Sequence, residues 1–224
     1  MKTIILIPYR DRKSHLEYWL KHSYPILKKN IQNLEVLIIE QIERKKFNRG
    51  KIINVGYDYY KNKDYNYITQ DVDVNPISER ILNLYKNDCK KKTITAIYSD
   101  SNTLGGVIKF KGSLFEEING FPNNFWGWGH EDKDIKNRVD FFNLSIERHI
   151  RFEDSTKKEH FLIFNDNHIR EDCGKWALSY VLWDKASTIQ QKEYITNNGL
   201  STLTYSLLQE DKLENGVKKI LVDI

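Results

Sequence analysis

Two acidic stretches have neighbours that suit them to chemistry: Asp71-Val72-Asp73 and Glu131-Asp132-Lys133-Asp134. Carboxylates spaced by one residue after a buried strand are a common device for presenting oxygen to a divalent cation that bridges a diphosphate. The second group closes the string Asn119 to Asp134, NGFPNNFWGWGHEDKD. There Gly120, Gly127 and Gly129 allow turns and close approach, while Trp126 and Trp128 offer flat apolar faces of the kind that stack on sugar rings. Near the N-terminus, Pro8-Tyr9-Arg10-Asp11-Arg12 combines an aromatic ring with two guanidinium forks, which suit a nucleotide's base and its phosphate oxygens.

The elements that must position these residues follow from hydrophobic spacing. Thr3 to Ile7 and Leu34 to Ile39 read as central parallel strands, apolar on both faces. Between them Ser14 and Glu17 have capping-box spacing, Leu16, Trp19 and Leu20 fall on one helical face, and Pro25 is expected to kink or interrupt the far end. Asn48 to Lys61 reads as the next helix and Asn66 to Gln70 as the third strand. A β-α-β-α-β order predicts an α/β fold with a mainly parallel, doubly wound sheet flanked by helices, whose ligands sit at the carboxyl ends of the strands. Pro8 to Arg12 and Asp71 to Asp73 fall at such ends.

Further on, Leu104-Gly105-Gly106-Val107 precedes an apolar strand. Glu131 to Phe142 reads as a helix with Ile135, Val139 and Phe142 on one face, so Asp132 is expected near its start, pointing toward the buried side. Residues 161–175 read as irregular and 176–190 as a helix whose tryptophans pack, while alternation over Ser201 to Leu207 predicts a strand.

At 224 residues the chain has room for one sizeable domain. Its apolar fraction of 40% suits a globular protein, and no apolar run reaches the roughly 18 to 20 residues of a membrane helix. The opening MKTIILIPYRDR reads as a first strand rather than a signal peptide, because its apolar run is short and ends without a small-residue cleavage site. Cys89 and Cys173 have no CxxC or CxH neighbours and read as free thiols. The net charge of +4 is modest and its lysines are mixed with acids, which argues against a nucleic-acid track.

FPNNFWGWGHEDKD resembles the GFPNNYWGWGGEDDD signature of the β-1,4-galactosyltransferase family, glycosyltransferases that use UDP-sugars. It departs at His130 and Lys133, where the family has Gly and Asp. LIPYRDR is similar to the family's IVPFRNR, FNRGKIINVGY to FNRAKLLNVGF, DVDVNP to DVDLIP, LGGV to FGGV, and GLSTLTY with a closing VDI to GLNSLTY and VDI. The resemblance implies one GT-A-like domain over residues 1–224, with a donor-binding half to about 110 and an acceptor and catalytic half from about 111.

By resemblance, Pro8, Tyr9, Arg10 and Arg12 border the UDP site, Phe47 and Arg49 contact the uridine side, and Asp71 and Val72 lie against the nucleoside. Asp73 would ligate Mn²⁺ on the diphosphate together with His160, with His168 as the alternative ligand. Lys157 stands where some relatives have a Met ligand. Asp132 corresponds to the general base, Glu131 orients donor or acceptor, and Trp128 closes over the donor and, with Trp126, meets the acceptor sugar. Gly105 and Gly106 let backbone approach the sugars. Thr103 stands where galactose-specific animal enzymes have a Tyr crowding the C2 substituent of the donor.

The expected activity is inverting transfer of a sugar, galactose first, from a UDP-sugar to a carbohydrate hydroxyl on GlcNAc, Glc or Xyl. A UDP-GalNAc- or UDP-Glc-using transferase and an inactive glycan-binding module are the alternatives. The expected partners are the donor and the acceptor, with no nucleic acid and no transmembrane segment. Animal members carry an anchor and a stem before the catalytic domain, whereas this sequence starts close to it, so a soluble, cytoplasmic protein is expected.

Overall fold

All seven residues of β1 (Thr3–Tyr9) are buried, as a strand with neighbours on both edges and helices on both faces requires. In the computed structural model, which describes residues 1–164, 171–175, 181–213 and 216–224, β1 pairs in parallel with β2 (Leu34–Gln41) on one side and β3 (Asn66–Thr69) on the other. Side chains alternate between the two faces of this ribbon. Ile4 and Leu6 enter one core with Leu37 and Ile39, and Ile5 and Ile7 enter a second with Val36 and Ile38.

The sheet has eight strands in the order β7-β5-β6-β3-β1-β2-β10-β9. The added strands are β5 (Thr93–Ser99), β6 (Val107–Lys111), β7 (Ser145–Arg151), β9 (Ser206–Lys212) and β10 (Lys218–Asp223). Strands β6 and β9 run against the other six, so the expected mainly parallel sheet is present with two antiparallel insertions. A separate pair joins β4 (Val74–Pro76) to β8 (Phe161–Ile163), so the stretch expected to be irregular from 161 begins as a strand.

Helix α1 (Lys13–Tyr18) continues through a π turn at Trp19–Ser23 into α2 (Tyr24–Asn30). The expected capping box at Ser14 is not formed; Arg12 is the N-cap and makes no side-chain capping bond. Pro25 does not break the chain's helical course. It sits in the first turn of α2, where its missing N–H costs nothing, and the widened turn before it absorbs the misfit.

Helix α3 (Arg49–Tyr60) is capped by the Asn48 side chain, which accepts from the Lys51 N–H, and ends on Lys61 in the left-handed region. A Cβ on Gly56 would lie 2.9 Å from Leu6 and Ile39, so this glycine lets α3 settle onto the sheet. The remaining α-helices among the described residues are α4 (Glu79–Lys86), α5 (Gly112–Glu117), α6 (Glu131–Phe141), α7 (Lys157–His160) and α8 (Thr188–Thr196).

Two further expectations need correcting. The helix expected over 176–190 is, in its described part, a π turn at Val181–Lys185 followed by a break, because Ser187 caps a new helix in a capping box with Gln190. The strand expected over 201–207 starts only at Ser206, since Leu200–Thr202 forms a 3₁₀ turn on Gly199.

Candidate active site

The Asp-Val-Asp turn leaves the carboxyl end of β3 and is fixed by a residue that sequence spacing did not single out. Gln70, fully buried, donates to the carbonyls of Asp71 (2.9 Å) and Val74 (2.6 Å) and accepts from the Tyr85 hydroxyl. Both ends of the turn are thereby set. Asp71 is claimed by Arg49, whose Nε and Nη2 lie 2.9 and 2.8 Å from Oδ1. Asp73, its side chain 28% exposed, has Arg12 Nη1 3.9 Å from its Oδ2.

Arg49 joins three parts of the site. Besides holding Asp71 it donates to the Gly106 carbonyl at 3.2 Å, and its Nη1 lies 4.0 Å from Glu131. Burial alone lowers the Arg49 pKa, but the charges of Asp71 and Glu131 outweigh it and raise the pKa above its ordinary value. Gly106 has φ +67, and a Cβ there would fall 2.4 Å from the Tyr98 carbonyl, so only glycine fits. Its neighbour Gly105 packs on Asp132, where a Cβ would approach Oδ2 to 3.1 Å.

The Gly-Trp loop is held against α3 by buried amides. Asn48 donates to the Asn123 carbonyl (2.8 Å), Asn54 donates to the Phe121 carbonyl (2.7 Å) and accepts from the Phe121 N–H (2.9 Å), and the Gly127 N–H reaches the Phe47 carbonyl (2.7 Å). The two tryptophans diverge. Trp128 is 58% exposed, whereas Trp126 packs on the core with Lys45 and Lys51 at 5.2 and 5.8 Å from its ring centre, so the stacking expected of it is replaced by cation–π contacts.

His130 opens α6 at φ +73, a strained position for a side chain and a natural one for the Gly of the resembled signature. Glu131 is buried, with Oε2 lacking a hydrogen-bond partner. Burial and then the neighbouring Asp132 charge push its carboxyl up to about 7, against the opposing pull of Arg49. Asp132 is half-buried beside Gly105. Leu104 N–H donates to its carbonyl at 3.0 Å, tying the double-glycine loop to the start of α6.

Other expected donor residues are placed more loosely. Arg10 donates to the Lys45 carbonyl (2.7 Å) and lies over the Phe47 ring at 5.2 Å, a pair at the strand ends. Tyr9, Pro8 and Val72 are buried and serve as walls rather than exposed contacts. Thr103 is half-buried, its carbonyl accepting from Arg148 Nη1 at 2.9 Å.

His160 is not brought to Asp73. The Ile77 N–H bonds to its carbonyl while the Phe164 N–H bonds to that of Asp73, which separates the two residues by four ladder positions, about 13 Å. Its Nδ1 lies 2.9 Å from Ser78 Oγ. His168 lies outside the described residues. Among the described residues no three His, Cys, Asp or Glu side chains converge as a metal cage. Asp73 offers a partly exposed carboxylate, the hard oxygen donor that a divalent cation would take.

The catalytic domain of Drosophila β-1,4-galactosyltransferase 7, solved with xylobiose, aligns over 100% of this chain and 94% of its own at a TM-score of 0.76 and 22% identity. A mutant of that protein, solved with manganese, UDP-Gal and xylobiose, aligns at 0.74. The fold is that of the GT-A glycosyltransferases.

Residues 1–90 match the N-terminal region of glycosyl transferase group 7, and residues 88–161 match the N-terminal domain of galactosyltransferase. β-1,4-galactosyltransferase 1 of Bos taurus is 33% identical over 233 residues, covering 100% of this chain and 54% of its own. β-1,4-galactosyltransferase 4 of Cricetulus griseus is 32% identical over 225 residues, covering 92% and 59%. The chain belongs to the β-1,4-galactosyltransferase family and spans about half the length of the curated relatives it matches.

Proposed function

We propose that this chain transfers a galactosyl group from UDP-galactose to a hydroxyl of a carbohydrate acceptor, with inversion at the anomeric carbon. The observation that carries the reading is the junction at Arg49, which gathers Asp71, Gly106 and Glu131 into one wall beside Asp132. Arg10 and Arg12 reach the diphosphate, and Asp71 and Val72 line the nucleoside. Asp73 holds Mn²⁺, which when bound offsets the charge of the departing UDP. Trp128 presents its exposed face to the acceptor sugar. Asp132 takes the proton of the attacking hydroxyl, and Glu131 accepts from a donor hydroxyl through its unpartnered oxygen. Family membership and the manganese, UDP-Gal and xylobiose held by the Drosophila relative support this assignment.

The test is UDP release from UDP-Gal, UDP-GalNAc and UDP-Glc with GlcNAc, Glc and Xyl acceptors, with Mn²⁺ or EDTA. Turnover is expected with UDP-Gal and is abolished by EDTA. Asp73→Ala should lower it on the order of 10³-fold, and Asp132→Asn should lower kcat by roughly 10² to 10⁴ while leaving UDP affinity near wild type. Undiminished turnover in EDTA would sink the metal assignment. Glycan binding without UDP release would leave only a binding module.

A further inference from the structure

Helix α3 carries a buried charge that the reaction does not use. Arg49 and Lys51 are two residues apart and leave the helix on different sides. Arg49 joins the catalytic wall, whereas Lys51 meets Trp126, its ammonium 5.8 Å from the ring centre. Lys51 is 9% exposed, and among the described residues its ammonium makes no hydrogen bond or ion pair. An ammonium has three donors, and taking them from water without giving them acceptors is unfavourable even over an aromatic face.

The charges around Lys51 do not supply what it lacks. The Lys45 ammonium lies 5.2 Å from the same ring centre, so two cations share one indole. Lys45 donates to the main-chain oxygen of Ile224 at 2.8 Å. The acid that acts on Lys51 is Asp223, which Arg44 already engages at 3.4 Å. Burial, and then the Lys45 charge, lower the Lys51 pKa, and Asp223 opposes them only in part. Lys46, next along the same basic run, turns to the Asp172 carbonyl at 3.2 Å. The cluster is open to solutes, because Lys45 is exposed and Trp126 is half-buried.

We propose that Lys45 and Lys51, set on the Trp126 ring, form a binding site for an oxyanion, the phosphate or carboxylate of a substituted sugar or the free ion. The oxygens of such a group accept from the donors that Lys51 leaves unspent, and its charge offsets the repulsion between the two lysines. The site uses neither Asp73 nor the carboxylates assigned to catalysis. It is therefore expected in the ligand-free chain, whether or not the chain transfers galactose.

The test is a magnetic-resonance titration of wild type carrying lysine labelled with ¹³C at Cε, with the Lys45 and Lys51 signals assigned by their loss in Lys45→Met and Lys51→Met. Inorganic phosphate, GlcNAc 6-phosphate and GlcNAc are added at pH 7, without metal and with ionic strength held by chloride. Both signals should shift with phosphate and saturate at one common midpoint, and Lys45→Met should raise the midpoint read at Lys51 at least tenfold. GlcNAc alone should move neither. A midpoint at least tenfold lower for GlcNAc 6-phosphate than for phosphate supports the site with the anion carried on a sugar, and equal midpoints support it with the free ion as ligand. No saturable shift at Lys51 overturns the proposal, as does the same shift in chloride alone or a midpoint unmoved by Lys45→Met. The decisive titration is on wild type, so it does not depend on a variant folding, and it reads no UDP release, so its failure and that of the transferase reading are separate results.

Discussion

At the scale of single residues, Glu131 combines a functional position with a physical cost. Its carboxyl, pushed up to about 7, binds a proton more readily in the folded chain than at the ordinary value of 4.5. A carboxyl raised in this way gives its full stability below the unfolded value and loses it as pH rises through about 7. The expected outcome is that Glu131→Gln stabilises the ligand-free chain more at pH 8 than at pH 5. In wild type, kcat/KM should fall as pH drops below about 7, because the ionised oxygen accepts the sugar hydroxyl. Thermal melts at the two pH values and a pH–rate profile check both; an equal effect of the substitution at pH 5 and pH 8 contradicts them. The acids and the exposed Trp128 were legible in the sequence because their types are rare together. The fate of Trp126 was not, since its capture by Lys45 and Lys51 depends on residues about eighty positions away. His160 misled for a related reason: distance along the chain says nothing about which way β8 carries it past β4.

At the scale of elements, the main surprise is Lys109. It lies in β6 and is 1% exposed, which is rare for a lysine. Its ammonium donates to the carbonyls of Leu84 (3.0 Å), Tyr85 (2.7 Å) and Asn87, and so caps the C-terminal end of α4. Burial pulls its pKa down to about 8. The capped helix supplies Tyr85, the partner of Gln70, so β6 supports the Asp-Val-Asp turn through α4. Lys109→Met fills the space and leaves those carbonyls unpartnered, at an expected cost of about 3 kcal/mol or roughly 6–12 °C in Tm. Donor KM should rise as well because the turn loosens. A melt within 2 °C of wild type would refute the cap. Helices α3 and α6 were readable to within a residue or two, because hydrophobic spacing is a local signal. The π turn before Pro25 and the break at Ser187 were not, since tertiary packing selects them over plain helix.

At the scale of the molecule, the sequence made the parallel β2-β1-β3 centre readable, because three apolar runs alternate with helical patterns. The outer order escaped it. Nothing local says that β6 inserts against β3 before β5, or that the last strand returns to lie beside β2. That return is where the fold is most exposed to a small loss. Strand β10 separates β2 from β9, pairing in parallel from Lys218 opposite Leu37 to Val222 opposite Gln41. It places Val217, Ile220, Val222 and Ile224 in buried positions, and the Ile42 N–H bonds to the Val222 carbonyl at 3.1 Å. Four buried aliphatic side chains at about 1.5–3 kcal/mol each amount to roughly 6–12 kcal/mol, comparable with the whole net stability of about 5–15 kcal/mol for a domain. Ending the chain after Leu213 should therefore abolish the cooperative melt and free the β2 edge for aggregation. Leu207→Lys and Leu208→Glu on the exposed edge strand β9, at 48% and 51% exposure, should each shift Tm by less than about 2 °C. Circular dichroism melts of the three variants decide the matter: a shortened chain that still melts cooperatively shows that β10 is dispensable, and a large loss at Leu207 or Leu208 shows that β9 is covered.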